Sequence, residues 1–222
     1  MIAKVFQALL GILLLPFCIG YSIAFYDHLL TLRRVNGPEI ALLLGITTYL
    51  AGHAVIGSPS RVYVFGHELT HAVATWISGG QVKGFKAGKN SGAVVTNKIN
   101  AVIALAPYMV PAYTILWTFS YGIAGFFWDM KKWIYAFFFG LGATLAFHWV
   151  FTIDALKQKQ SDLDLLGPIL SLVLIYWFNI ALVIGVMSLI VPEIRLLAYF
   201  QEGYHHSLEL YALIVRQIFS LV

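Results

Sequence analysis

The sequence predicts an all-α polytopic membrane protein with about six transmembrane helices at roughly 20 residues per span. Of its 222 residues, 60% are hydrophobic and only 11% are charged, and the mean hydropathy is +0.82. Soluble domains carry about 25% charged residues, so this chain has too few to cover a soluble surface. We therefore expect a single membrane-embedded domain over residues 1–222, in an integral multi-pass protein of a cell (plasma or inner) membrane.

Charge and cysteine content narrow the possible functions. The net charge of +4 comes from Lys and Arg residues scattered between apolar runs, which is typical of loops at a membrane surface and not of nucleic-acid binding. These residues divide too evenly between the two sides to indicate the orientation. Cys18 is the only cysteine, which excludes an intrachain disulfide and a cysteine-based zinc site.

Residues 1–57 predict two leading spans. The apolar run at 5–26 is longer than the core of a signal peptide and lacks a clear cleavage site, so we expect a retained helix. A polar turn at 31–38 separates it from a second span at 40–56. His53 lies within that second span. It is either a buried, hydrogen-bonded histidine or a contact to the functional site or its substrate.

Residues 58–191 predict the catalytic core, and its first helix carries the chemistry. After a helix-breaking segment at 57–60, we expect a helix over 61–78 that ends at Gly79 and Gly80. With about 18 residues, this helix is nearly long enough to cross a bilayer.

That helix contains His67-Glu68-Leu69-Thr70-His71, an H-E-x-x-H pattern. Residues four apart lie on one helix face, so both imidazoles can reach one metal ion. Glu68 is rotated by about 100° from His67 and can take a proton from a metal-bound water. Burying such groups in an apolar helix is costly without a metal, a partner or a water-filled cavity, so the context favours metal binding.

A catalytic zinc site needs a third protein ligand. The polar stretch 154–164 is the richest source of carboxylates, and within it Asp162 stands at the start of the fifth apolar run. We choose Asp162 and keep Asp154, Asp164 and His148 as alternatives. Acidic residues at a helix start can also serve only as caps.

The remaining segments complete the predicted fold. Residues rich in Gly, Lys and Asn follow the motif helix and predict a short membrane-associated β-hairpin or loop. Pro107 and Pro111 predict a kink in the next span. The C-terminal helical tail is either a sixth span or lies in the membrane interface. In order, these segments are the hairpin or loop at 81–98, spans at 99–127, 133–153 and 165–191, and the tail at 192–222.

These patterns resemble the site-2 protease family of intramembrane zinc metalloproteases, in its compact branch, over about residues 60–190. The features that carry the resemblance are the motif itself, the apolar lead 62–66, the exit at Gly79-Gly80 and the stretch Gln160-Ser161-Asp162-Leu163. In the family's common second motif, glycine follows the aspartate. Here no glycine follows Asp154, Asp162 or Asp164. Gly92 to Asn97 is similar to the family's substrate-handling element, so the resemblance implies substrate contacts by Gly92, Asn97 or Asn100.

The resemblance implies zinc-dependent hydrolysis of peptide bonds in or near transmembrane segments of membrane proteins. His67, His71 and Asp162 would bind one zinc ion, and Glu68 would act as the base. The expected partners are a substrate helix and the lipid bilayer, without nucleic acid, and the oligomeric state stays open. Two other functions remain: a catalytically inactive scaffold that binds client helices, and a metal transporter.

Overall fold

The computed structural model describes residues 2–32, 35–57, 59–89, 91–158 and 160–220. Parts of the predicted turn at 31–38, the break at 57–60, the hairpin turn, the polar stretch 154–164 and the tail therefore lie outside the described residues. The α-helices are α1 Ile2–Leu13, α2 Leu15–Leu30, α3 Gly37–Ile56, α4 Ser60–Ile77, α5 Ala101–Met109, α6 Ala112–Ala124, α7 Ile134–Leu156, α8 Pro168–Ile190 and α9 Leu196–Ser220. The strands are β1 Val82–Ala87 and β2 Gly92–Thr96, and short 3-10 helices occupy Lys131–Trp133 and Ser161–Asp164.

Four helical segments of the described chain are long and apolar enough to cross a membrane. They are Ile2–Leu30, which joins α1 and α2, Gly37–Ile56, Lys131–Leu156 and Pro168–Ile190. The pair α5 and α6 makes a fifth if it counts as one bent span. Neither α4 nor α9 is among them, so six spans are not confirmed. The coarser prediction of an α-helical protein with several apolar helices is confirmed.

A sharp bend separates α5 from α6, at an angle of 70°. Pro111 has no backbone N–H to continue the helix, and it disfavours helical geometry at the residue before it. Val110 is accordingly extended, with φ of −104° and ψ of 111°. Pro107 is accommodated inside α5. The predicted kink is confirmed, and it lies at the second of the two prolines.

The chain divides into two compact units, one formed by Met1–Val35 with Leu166–Val222 and the other by Asn36–Leu165. In the first unit α9 packs along α2, where buried Tyr21 and Tyr199 lie edge to face with ring centroids 5.6 Å apart. The tail is thus one long helix folded onto the first span of its own unit. The single-domain organisation stays a prediction.

In the second unit α3 and α7 lie in close backbone contact and run in the same direction. Gly45 packs against Phe139, where an added Cβ would meet the carbonyl oxygen at 1.9 Å. Further along both helices, His53 lies against Phe151 with ring centroids 6.0 Å apart. Small residues that let helix backbones approach closely are a common device of membrane helix packing.

The segment after α4 is a two-stranded antiparallel hairpin, as one of the two sequence alternatives predicted. Phe85 pairs with Val94, and the register is irregular between Val82 and Gly84. Phe85 also meets Phe65 of α4 edge to face, at a centroid distance of 5.7 Å. This contact helps to hold the hairpin beside α4.

Candidate metal centre

The helix α4 brings the two motif histidines together. The rings of His67 and His71 lie 4.9 Å apart between centroids, in an edge-to-face arrangement. Their side chains are only 10% and 12% exposed. One helical turn therefore places two nitrogen donors on the same protected face, as the four-residue spacing predicted.

Asp162 enters from the 3-10 helix Ser161–Asp164 and meets both histidines. Its Oδ2 lies 3.5 Å from His67 Nε2 and 3.4 Å from His71 Nε2. Each residue offers one ligand atom, and these atoms all lie within 4.8 Å of one another. The three residues can hold a metal ion, whose identity the geometry leaves open. Within the described ranges no other group of His, Cys, Asp or Glu meets this condition.

The alternative third ligands lie elsewhere. The Asp154 Oδ1 pairs with Lys157 Nζ at 2.9 Å. Asp164 is exposed, and His148 is buried within α7 beside a small cavity that His67 also lines. None of them joins the group formed by the motif histidines. The structure thus brings together the set that the sequence analysis preferred, while the role of Asp162 as a ligand stays a prediction.

Each member of this group is held by an outer partner. The His67 Nδ1 lies 3.2 Å from the Tyr63 hydroxyl, and His71 Nδ1 donates to the Ile103 carbonyl at 2.8 Å. Tyr108 donates its hydroxyl proton to Asp162 Oδ2, also at 2.8 Å. The Ile103 carbonyl can only accept, so Nδ1 of His71 carries a proton, and Nε2 is the ring nitrogen that faces Asp162 and is available to a metal.

Sequence reasoning did not identify these partners. Tyr63 precedes His67 by four residues, so helical spacing was a usable signal for that contact. Tyr108 lies on α5, 54 residues from Asp162, and nothing in the local sequence indicates their contact. The same holds for Ile103, which acts through its backbone.

The charge state of Asp162 suits a metal ligand. Burial by itself would raise the pKa of this carboxyl, but the interactions with His67, His71 and Tyr108 outweigh burial and hold the pKa below its usual range. Asp162 is therefore an anion at neutral pH, which is the form that binds a cation.

Glu68 lies beside the group without joining it. Its side chain is buried, and burial raises its pKa above the ordinary value of a glutamate, partly offset by His67 and His71. The carboxylate packs directly against Gly92 at the start of β2. A Cβ on Gly92 would meet Glu68 Cγ at 2.4 Å and Oε1 at 2.6 Å. Glycine is therefore required at this position to keep the carboxylate where it is.

The residues predicted to contact substrate have different surroundings. Gly92 lines the two larger of the cavities that reach the metal centre, which have volumes of about 760 Å³ and about 380 Å³. Asn97 accepts a hydrogen bond from the Gln81 backbone at 2.7 Å and closes the base of the hairpin. Asn100 caps α5, accepting from the Ile103 N–H at 2.8 Å. Neither asparagine lines these two cavities.

His53 lies apart from the metal centre, between two aromatic rings. Its ring lies 5.9 Å from Tyr49 and 6.0 Å from Phe151 between centroids. His53 is half-buried, and its Nδ1 has no hydrogen-bond partner in the described part of the chain, so the predicted buried, hydrogen-bonded histidine is not confirmed. His53 also does not belong to the metal group.

No protein family, curated protein or solved structure matched this chain. The resemblance to the site-2 protease family therefore depends on the motif residues, and function has to be argued from the chemistry of the site.

Proposed function

We propose that this protein is an intramembrane zinc metalloprotease, similar to the site-2 proteases, that hydrolyses peptide bonds in or near transmembrane segments. The observation that carries the proposal is the convergence of His67 Nε2, His71 Nε2 and Asp162 Oδ2 beside the Glu68 carboxylate. The apolar helices of the described chain support a membrane setting for this chemistry.

The donor set fits zinc. Two imidazole nitrogens and one carboxylate oxygen, with a remaining position for water, form a ligand set found in catalytic zinc sites. The protonated Nδ1 of His71 and the anionic Asp162 present the forms that bind a cation. When bound, zinc acts as a Lewis acid and lowers the pKa of its water toward neutrality.

Glu68 is the proton carrier in this proposal. Its burial raises its pKa, which brings the carboxyl closer to the pH at which a general base works best. It takes a proton from the attacking water and delivers it to the leaving amine. Gly92 keeps the space beside this carboxylate clear.

The strand β2 is the proposed docking edge for the substrate. A helical peptide bond is shielded by its own hydrogen bonds, so the substrate must unwind before it is cut. An extended peptide can then add to the edge of a two-stranded sheet through backbone hydrogen bonds. Gly92, Ala93, Val94 and Thr96 of β2 line the same cavity as the three proposed metal ligands, which supports β2 as the edge that receives the substrate.

Replacing Glu68 by Gln tests the proposal. The purified variant should retain zinc and lose cleavage of a membrane-helix substrate, because the amide keeps the shape and loses the base. Glu193→Gln, at an exposed position before α9, is the matched control and should cleave normally. Normal turnover by Glu68→Gln would overturn the role of Glu68.

The same preparation separates the other two functions. An inactive scaffold would bind client helices without zinc-dependent cleavage in the wild type. A transporter would give metal flux in proteoliposomes and several weak sites, whereas the described chain offers one compact group of ligands.

A further inference from the structure

We propose that the substrate of this site is an apolar segment joined to an acidic flank, and that the bond cut lies at their junction. The inference rests on the proposed protease function and names its substrate class. Three observations carry it: the depth of the centre along α7, the different linings of the two cavities, and a lysine in one of them that has no ion-pair partner among the described residues.

The metal centre lies near one end of a candidate span. Tyr63, which contacts His67, stacks on Phe151 of α7 with ring centroids 4.5 Å apart. The span Lys131–Leu156 ends five residues after Phe151. Five residues extend about 8 Å along a helix axis. Half of a hydrocarbon core about 30 Å thick is about 15 Å, so the centre is closer to a membrane boundary than to the midplane.

The larger cavity faces that boundary and is charged. We name it the charged cavity; besides the motif helix it is lined by Lys89 and Ser91 of the hairpin, by Asp154 of α7, and by Lys157 and Gln158 just after α7. Asp154 lies in the last turn of the span, and Lys157 follows directly after it. The cavity suits the water-exposed flank of a membrane protein, because such side chains lose little hydration there.

The smaller cavity lies along β2 and has no charged side chain outside the metal centre. We name it the strand cavity; apart from the centre it is lined by apolar side chains and by four uncharged polar ones: Ala93, Val94, Ile99, Ile103, Ala104, Leu165, Thr75, Thr96, Gln160 and Ser161. It suits an extended segment of small or apolar residues. Both cavities share His67, Glu68 and Gly92, so a peptide that occupies both passes the metal centre where its character changes.

Lys89 determines which charge is preferred in the flank of the substrate. Asp154 and Lys157 neutralise each other at 2.9 Å, and Glu68 belongs to the metal centre. Lys89 is exposed and has no ion-pair or hydrogen-bond partner in the described part of the chain. It leaves the charged cavity with an uncompensated positive charge, which favours Asp or Glu in the substrate over Lys or Arg.

The test uses peptides with an apolar segment of about 20 residues, the length that spans a bilayer. One flank carries Glu, Gln or Lys residues and is placed either before or after the apolar segment. The enzyme is the full chain in detergent, and the cut bond is located by mass spectrometry. We expect cleavage at the junction and a preference of about 2- to 5-fold in kcat/KM for the Glu flank at low salt, as an exposed charge pair gives.

Two variants make the test specific. Lys89→Glu should reverse the preference in favour of the Lys flank, whereas Lys86→Glu, on the same hairpin but outside both cavities, should leave it unchanged. Both preferences should disappear near 1 M salt, where the screening length is about 3 Å. Cleavage deep within the apolar segment, or a preference that Lys89→Glu does not alter, would overturn the inference.

The outcomes also separate this inference from the proposed function. If the wild type cuts none of the peptides, the protease proposal fails. A second outcome is that the wild type cuts peptides with Glu, Gln and Lys flanks equally well, and that Glu68→Gln abolishes this cleavage. In that case the protease proposal stands and only the acidic-junction substrate is wrong.

Discussion

Tyr63 and Ile103 contact Nδ1 of His67 and of His71, on the side of each ring away from the metal centre. Tyr108 contacts Asp162 at Oδ2, the same oxygen that faces the two histidines. Such outer contacts fix the orientation of a ligand and, for histidine, decide which ring nitrogen is available. Tyr108 is the most constrained of them, because its side chain is fully buried on α5. It therefore holds Asp162 in a geometry that the short 3-10 helix alone would leave loose.

Tyr108→Phe tests this contact at the level of one hydroxyl. We expect zinc affinity or activity to fall by about 10- to 100-fold, since the carboxylate loses the group that orients it. The measurement is competition with a chelator of known affinity. Tyr121→Phe removes a comparable hydroxyl that bonds the Met130 carbonyl at 2.7 Å, and it should keep wild-type zinc affinity. Unchanged affinity in Tyr108→Phe would show that Asp162 is oriented without it.

At this scale, local spacing predicted the histidines and Glu68 because a helix repeats every 3.6 residues. The choice of Asp162 over Asp154 and Asp164 was less certain from sequence, since all three belong to one polar stretch. The structure distinguishes them by what each faces: Asp154 pairs with Lys157, Asp164 is exposed and Asp162 points at the histidines. Contacts such as Tyr108 with Asp162 join distant parts of the chain and leave no local pattern.

At the scale of elements, the pair α3 and α7 forms the most extensive helix contact of the second unit within the described residues. The backbone of α3 at Gly45 approaches the Phe139 carbonyl so closely that a methyl group has no room. The contact matters for the site because Phe151, further along α7, supports Tyr63 by stacking. A disturbance of this helix pair should therefore reach the metal centre through one aromatic contact.

Gly45→Ala measures the importance of that close approach. An added methyl would lie 1.9 Å from the Phe139 carbonyl oxygen, so the helices must separate, and we expect a loss of about 1–3 kcal/mol in the free energy of unfolding. Gly52→Ala is the control on the same helix, because nothing lies within 4 Å of its added Cβ. Thermal unfolding in detergent compares them. Equal stability of the two variants would contradict the packing argument.

Boundaries of helices were predictable from the sequence where a single residue restricts the backbone conformation. The bend before α6 occurs at Pro111, since proline cannot donate the next helical hydrogen bond. The hairpin was only one of two alternatives, because pairing in a short two-stranded sheet depends on packing against another element. Here α4 supplies that packing, and its position was not readable from the hairpin's own residues.

At the scale of the whole molecule, all the residues of the metal centre lie in the unit Asn36–Leu165. Composition predicted the apolar helices, because every transmembrane span needs a long stretch with few charged residues, and this lowers the charged fraction of the whole chain. It did not predict that the terminal segments form a unit of their own, since that depends on which helices pack together. The six spans it predicted are not confirmed: α9 is amphipathic and packs along α2 of its unit.

The central claim is that a metal ion is bound by residues about ninety positions apart in sequence, and metal analysis tests it most directly. Wild type, Asp154→Ala, Asp162→Ala and Asp164→Ala would be purified from the same medium, and zinc per chain measured by mass spectrometry. We predict about one zinc ion per chain in wild type, Asp154→Ala and Asp164→Ala. Asp162→Ala should lose it while retaining its helical circular dichroism. Stoichiometric zinc in Asp162→Ala would contradict the account.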